Sequence, residues 1–138
     1  MRTPRLPPWF WELMESIGIE ALRNDEESLK LRFRAMTRQR LLAFFRYFGR
    51  ARGHVNPVNR SDFQSKRGNL SEDCGNDWAA WVVCRGRTFW DEVHRHPASF
   101  QSYLDQFFQA DPWNVRPDYV AGYIFEERFR EEILDVLN

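Results

Sequence analysis

With 138 residues, 43% of them hydrophobic and 16% aromatic, the chain has the size and apolar content of one domain. Such a domain buries about two thirds of its unfolded surface and folds without a metal or a disulfide. Its 20 Lys+Arg and 20 Asp+Glu cancel. No run approaches the ~20 apolar residues of a membrane helix, and no apolar stretch follows Arg2 and Arg5 as a signal peptide would require, so the expected compartment is the cytoplasm.

Residues 1–8 are rich in Pro and Arg and predict an extended, flexible lead. A first helix is expected from Trp9 or Phe10 to about Leu22, with Phe10, Leu13, Met14 and Ile17 inside and Glu12, Glu15 and Glu20 outside. Asn24 is the expected cap of a second helix, with Asp25, Glu26 and Glu27 in its first turn and Leu29, Leu31, Phe33 and Met36 as apolar positions. Thr37 is the expected cap of a third, which turns Leu41, Phe44, Phe45 and Phe48 inward and Arg38, Arg46 and Arg50 outward. Gly53 should close it near Ala51. Residues 53–70 read as one long polar loop, with Phe63 tacking it to the body. A loop of that length is usually functional or disordered.

The longest unbroken apolar run, Trp78 to Cys84, follows Ser71 and the acidic residues Glu72 and Asp73. Ser71 is a strong helix cap, and its neighbours suit the positive end of the helix dipole. Cys74, Trp78, Trp81 and Val82 share one helical face. Gly86 ends this helix with a left-handed residue, and a second begins near Arg87, carrying Phe89, Trp90 and Val93 inward. Cys74 and Cys84, ten residues apart on one helix, stand about 15 Å apart, beyond disulfide reach. After Pro97, Ser99 is expected to cap a helix holding Phe100, Tyr103, Leu104, Phe107 and Phe108. Asp111-Pro112-Trp113 reads as a turn. Pro117 opens a final helix that buries Val120, Ile124, Phe125, Phe129, Ile133, Val136 and Leu137. With no alternating strand pattern, the expected fold is all-α: a single-domain bundle of about six to seven helices.

The segment Trp81 to Trp90, W-V-V-C-R-G-R-T-F-W, is similar to a bacterial pattern of the form W-L-I-x-x-G-R-x-F-[FYW]. That pattern has a Ser-Asp-Asp-type opening upstream and a D-P-x-x-[LF] element downstream. Here Ser71-Glu72-Asp73 and His96-Pro97-Ala98-Ser99-Phe100 occupy those places. The chain thereby resembles the family called domain of unknown function forty-two-forty, over roughly Trp9 to Phe100. Gly75 departs from a position where that family usually has an aromatic residue, and Ala79 from one that is often Arg. The resemblance implies a small, mainly helical bacterial protein. It implies no activity and carries over no catalytic residue.

Charge is balanced overall but segregated along the chain. Residues 23–67 hold 12 basic and 4 acidic groups, whereas residues 71–138 hold 6 basic and 13 acidic. One reading has basic helices packing beside acidic ones as exposed ion pairs of little energetic weight. The other has two faces that steer different partners. Asp73 and Asp77 lie four apart beside Glu72, an acidic first turn that can bind a cation or do acid–base work only with partners the local sequence does not supply. His94 and His96 point in different directions near a helix end, and His54 stands alone by the loop. Arg85 and Arg87 flank Gly86, where they can grip an anion or tie neighbouring acidic helix starts together. Glu126–Arg130 and Arg128–Glu132 have the spacing of surface pairs. There is no nucleophile elbow, no phosphate-binding glycine loop and no zinc pattern, so no metal or cofactor is implied.

The expected function is therefore non-catalytic binding of a protein partner. Small bacterial single-domain proteins with segregated charge and no active-site signature are often immunity proteins or antitoxins that neutralise a toxin domain. The expected contact residues are Glu72, Asp73, Asp77, Arg85, Arg87, Glu126, Glu127 and Glu131. Nucleic-acid association through the basic third helix ranks below this, as does an enzyme built on Asp73 and Asp77.

Overall fold

At the centre of the protein runs a helix whose second half has no polar side. Ser71 starts it, its hydroxyl accepting from the amide of Cys74 at 3.1 Å. From Trp78 to Cys84 every residue is buried, whichever way it points. The computed structural model describes residues 2–23, 25–64, 70–110 and 115–137, and among them it shows helices and no strand. In chain order these are α1 (Pro8–Leu22), α2 (Glu26–Arg34), α3 (Arg38–Val55), a 3-10 turn (Pro57–Asn59) and the central α4 (Glu72–Cys84). Then come α5 (Arg87–Arg95), a second 3-10 turn (Pro97–Ser99), α6 (Phe100–Gln109), α7 (Pro117–Phe129) and α8 (Ile133–Leu137).

A half-helix buried all round needs neighbours on every side. α4 has α1, α3, α5 and α6. Its contact with α1 is close because Gly18 lacks a side chain: a β-carbon there would stand 2.1 Å from the carbonyl oxygen of Cys84. Gly86, at φ 97°, then turns the chain into α5, a conformation that L side chains rarely adopt. Two indoles settle their N–H groups as they enter the core, Trp78 on the carbonyl of Tyr103 at 3.3 Å and Trp90 on that of Ala51 at 2.9 Å. The second layer is α7, lying on α2 and α3.

The expected elements appear, with several corrections. α3 does not stop at Gly53. It continues through buried His54 and Val55, and the side chain of Asn59 caps the free carbonyl of Gly53 at 2.9 Å. The stretch expected as loop thus begins as helix, is followed by a 3-10 turn, and has Phe63 stacked on Phe100 at 4.8 Å. Leu31 is 66% exposed and Phe108 38%, because each falls off the inward phase of its helix. Ser99 makes no capping bond, since the preceding 3-10 turn supplies the entry to α6. The final helix is two helices: Arg130 adopts a left-handed φ of 58°, and α8 starts afresh at Ile133. That break displaces Arg130, while Arg128 turns to the carbonyls of Phe33 and Met36, so the two expected surface pairs are absent among the described residues. Asp25 caps α2 through Ser28 at 3.2 Å. Met1, the proposed cap Asn24, loop residues 65–69, the Asp111-Pro112-Trp113 turn, Asn114, Asn138 and the side chain of Glu20 lie outside the described residues. Both cysteines are free thiols on α4, and burial holds each thiol's pKa above its ordinary value.

Candidate interaction surface

α7 begins at Pro117, whose fixed φ suits a first helical turn. Its inward stripe is Val120, Ala121, Ile124 and Phe125, all buried against α2 and α3. The same period leaves Tyr119 and Tyr123 on the outside one turn apart, 60% and 56% exposed, followed by exposed Glu126 and Glu127. Two hollows share Tyr123. One, of about 320 Å3, runs between α7 and α2 and is lined by Glu26, Lys30, Val115, Arg116, Tyr119, Val120 and Tyr123. The other, of about 520 Å3, is lined by Tyr123, Glu126, Glu127 and Arg130. Each tyrosine ring has a cation over it, Arg116 at 4.1 Å from Tyr119 and Lys30 at 5.4 Å from Tyr123.

A buried polar network holds this surface in place. The guanidinium of Arg116 donates to Asp118 through Nε at 3.1 Å and Nη2 at 2.7 Å, and through Nη1 to Asp77 at 2.8 Å. Arg52 on α3 donates to the same Asp118 carboxylate at 2.6 Å. Burial works against the charge on Arg116, but the hydrogen bonds and field of Asp118 outweigh it, so its pKa stands above the ordinary value. The bidentate Arg116–Asp118 pair at the start of α7 is thereby tied to α3 through Arg52 and to α4 through Asp77, each by one charge-assisted bond. At the other end of α7, Arg34 grips Glu127 with Nε at 3.0 Å and Nη2 at 3.1 Å, lowering that carboxyl's pKa. Arg38 meets Glu131 at 2.8 Å. The basic first half and the acidic second half therefore do pack as ion pairs.

The eight expected contact residues fall in separate places. Glu126 and Glu127 lie on the tyrosine surface, and Glu131 follows it, paired. Asp77 is engaged by Arg116. Glu72 and Asp73 stand exposed at the start of α4, where Glu72 edges a hollow of about 510 Å3 with Asn56, Phe63, Gly75 and Phe100. Arg85 sits over the rings of Trp81 and Phe89 at 4.9 and 4.5 Å, and Arg87 is 3.8 Å from Asp91 on its own helix. Neither arginine ties acidic helix starts together.

Two features escaped sequence reasoning. Tyr119 and Tyr123 were legible as the complement of the buried Val120 and Ile124. His54 was not: it is buried at the end of α3, its ring 4.9 Å from that of His94 and 5.5 Å from that of Trp90. Arg60 clamps the pair by donating to the carbonyls of both His54 and His94. Among the described residues no group of three or more His, Cys, Asp or Glu is arranged to hold a metal ion, and no helix is long and apolar enough to cross a membrane.

Compared with known proteins, residues 8–128 match the family model described as Protein of unknown function (DUF4240). No curated protein and no solved structure matches the chain.

Proposed function

The chain belongs to the DUF4240 family, whose description assigns no activity, and from its own surface we propose that it is a non-catalytic protein-binding module. The observation that carries this reading is the pair of exposed tyrosines on α7, rigidly backed and rimmed by charge. Tyr is enriched at binding hot spots because it offers large apolar area, a polar tip and little rotamer entropy to lose. The carboxylate of Glu126 beside them, exposed and in no ion pair among the described residues, favours a partner with a basic contact face. In its specific form the proposal is an immunity or antitoxin-type protein that covers the basic face of a cognate toxin.

The test is site-specific photo-crosslinking in the native host, with the reactive side chain placed at Tyr123 or, as a control, at exposed Val58. One dominant protein adduct at position 123 alone, diminished by Glu126→Lys and relieving toxicity when the partner is co-expressed with this chain, supports the reading. No adduct at position 123, or equal adducts at both positions, overturns it.

A further inference from the structure

α3 carries five arginines and no carboxylate. Two of them are used inside the protein, Arg38 on Glu131 and Arg52 on Asp118. Arg40, Arg46 and Arg50 are exposed and, among the described residues, have no carboxylate within ion-pair distance. At 100° per residue these three, with Gln39, Ala43 and Tyr47, fall within an arc of roughly 120°, and Arg40 to Arg50 spans about 15 Å along the axis. Aromatic rings are interleaved with the charges. Arg40 sits 4.0 Å over Trp9, Arg50 5.6 Å over Tyr47, and the two rings meet edge to face at 5.8 Å. The lead runs beside this helix, since Thr3 lines a hollow with His54 and Asn59 at the end of α3 and Trp9 reaches Tyr47 near its middle. Arg2 and Arg5, which flank Thr3 along the chain, are exposed. Glu12, one turn along α1 from Trp9, is exposed and forms no ion pair with these arginines.

A protein interface of ordinary affinity needs a desolvated apolar centre. This face has none: among the described residues every large exposed hydrophobic side chain lies on another part of the chain. What it offers is unneutralised guanidinium and flat rings, the combination that holds a phosphate backbone and stacks unpaired bases. We propose that the outer face of α3, with the lead, binds single-stranded nucleic acid through Arg40, Arg46 and Arg50. The surface is separate from the tyrosines of α7, so either proposal can fail without the other.

The experiment is fluorescence anisotropy of the full chain with labelled 15-nucleotide oligo-uridine RNA and oligo-thymidine DNA, between 50 and 200 mM salt. Five arginine contacts on a single strand predict a log–log salt slope of about −3.5, a roughly hundredfold loss of affinity over that range. The triple variant Arg40→Gln, Arg46→Gln, Arg50→Gln should reduce the slope to about −1.4, while the matching triple Lys variant keeps it near the wild-type value. Tyr119→Ala with Tyr123→Ala should bind as wild type, and circular dichroism melts check that each variant is folded. Equal binding of RNA and DNA marks recognition of the backbone, and a preference for RNA marks contact with the 2′-hydroxyl; both support the proposal. No binding at 50 mM salt, an unchanged slope in a folded Gln variant, or equally tight binding of polyglutamate, as an acidic protein partner would predict, overturns it.

Discussion

α4 and α7 are each 13 residues long, and they put that length to opposite uses. From Trp78 onward α4 has no outside, so its sequence is near-continuous apolar and its ends are set by Ser71 and Gly86. α7 has one buried stripe and one free face, so tyrosine and glutamate alternate with valine, isoleucine and phenylalanine. The first helix can only determine where others stand. The second is held by α2, α3 and the Arg116 network, and what it leaves uncovered is available to a partner. A helix surrounded by other helices is bound to matter for stability, and a helix at the edge has surface to spare for recognition.

The contrast can be broken most strongly from the inside. Trp81→Ala, at a residue 2% exposed, should cost about 3–5 kcal/mol through lost transfer energy and the cavity left behind, measured by urea unfolding. A loss below about 1 kcal/mol would show that α4 is not the centre of the fold. Arg116→Ala should come next in effect. It strands Asp118, 2% exposed, with only Arg52 for a partner, and a broken buried pair typically costs about 3–5 kcal/mol. Replacing Arg116 and Asp118 together by apolar residues should recover part of that loss, which a double-mutant cycle reads directly.

A third prediction concerns pH. Burial, with the fields of His94 and Arg60 in support and Asp62 opposing, lowers the pKa of His54 from 6.5 to about 4. His94, beside Trp90 and bonded to Asp91 at 3.2 Å, is also shifted downward, by burial against the pull of Asp91. The unfolded chain therefore takes up these protons first as pH falls. Stability contributed by neutral His54 should be complete above pH 6.5 and decline toward about pH 4, by at most about 3 kcal/mol for this group. In His54→Gln the slope of stability against pH over that window should flatten. An unchanged slope would show that other groups control the acid limb. The smallest effect belongs to the edge helix. Tyr119→Ala with Tyr123→Ala should change stability by less than about 0.5 kcal/mol per site, the range for surface substitutions, whatever it does to binding. A melt shifted as far as that of Trp81→Ala would mean that these rings are structural after all.

Much of this architecture was written in local chemistry. Thr37 and Ser71 accept from amides three residues on, as capping residues do, and Pro117 opens α7. The 3.6-residue period of Phe10, Met14 and Ile17, and of Leu41, Phe44 and Phe48, named the buried faces before any packing was known. Those signals act within one turn, so sequence carries them undiluted. Expectations failed where a local cue met a tertiary demand. Gly53 reads as a stop, yet α3 continues because His54 and Val55 find a buried place against α5 and the following turn. The final helix reads as continuous, yet it breaks at Arg130, and Ile133 then packs against Gly122.

By itself, then, the sequence determined an all-helical chain, its caps, its central tryptophan helix and its family. The tertiary structure alone decided which charges are neutralised inside the molecule and which stay free. Arg34, Arg38 and Arg52 are chemically the same as Arg40, Arg46 and Arg50, and two of them, Arg38 and Arg52, share α3 with those three. Only the arrival of α7 and its C-terminal flank, more than sixty residues later, engages the first three with Glu127, Glu131 and Asp118 and leaves the others to solvent. An ion pair depends on distance in space, over a few ångströms, and the separation of its partners along the chain does not carry that distance.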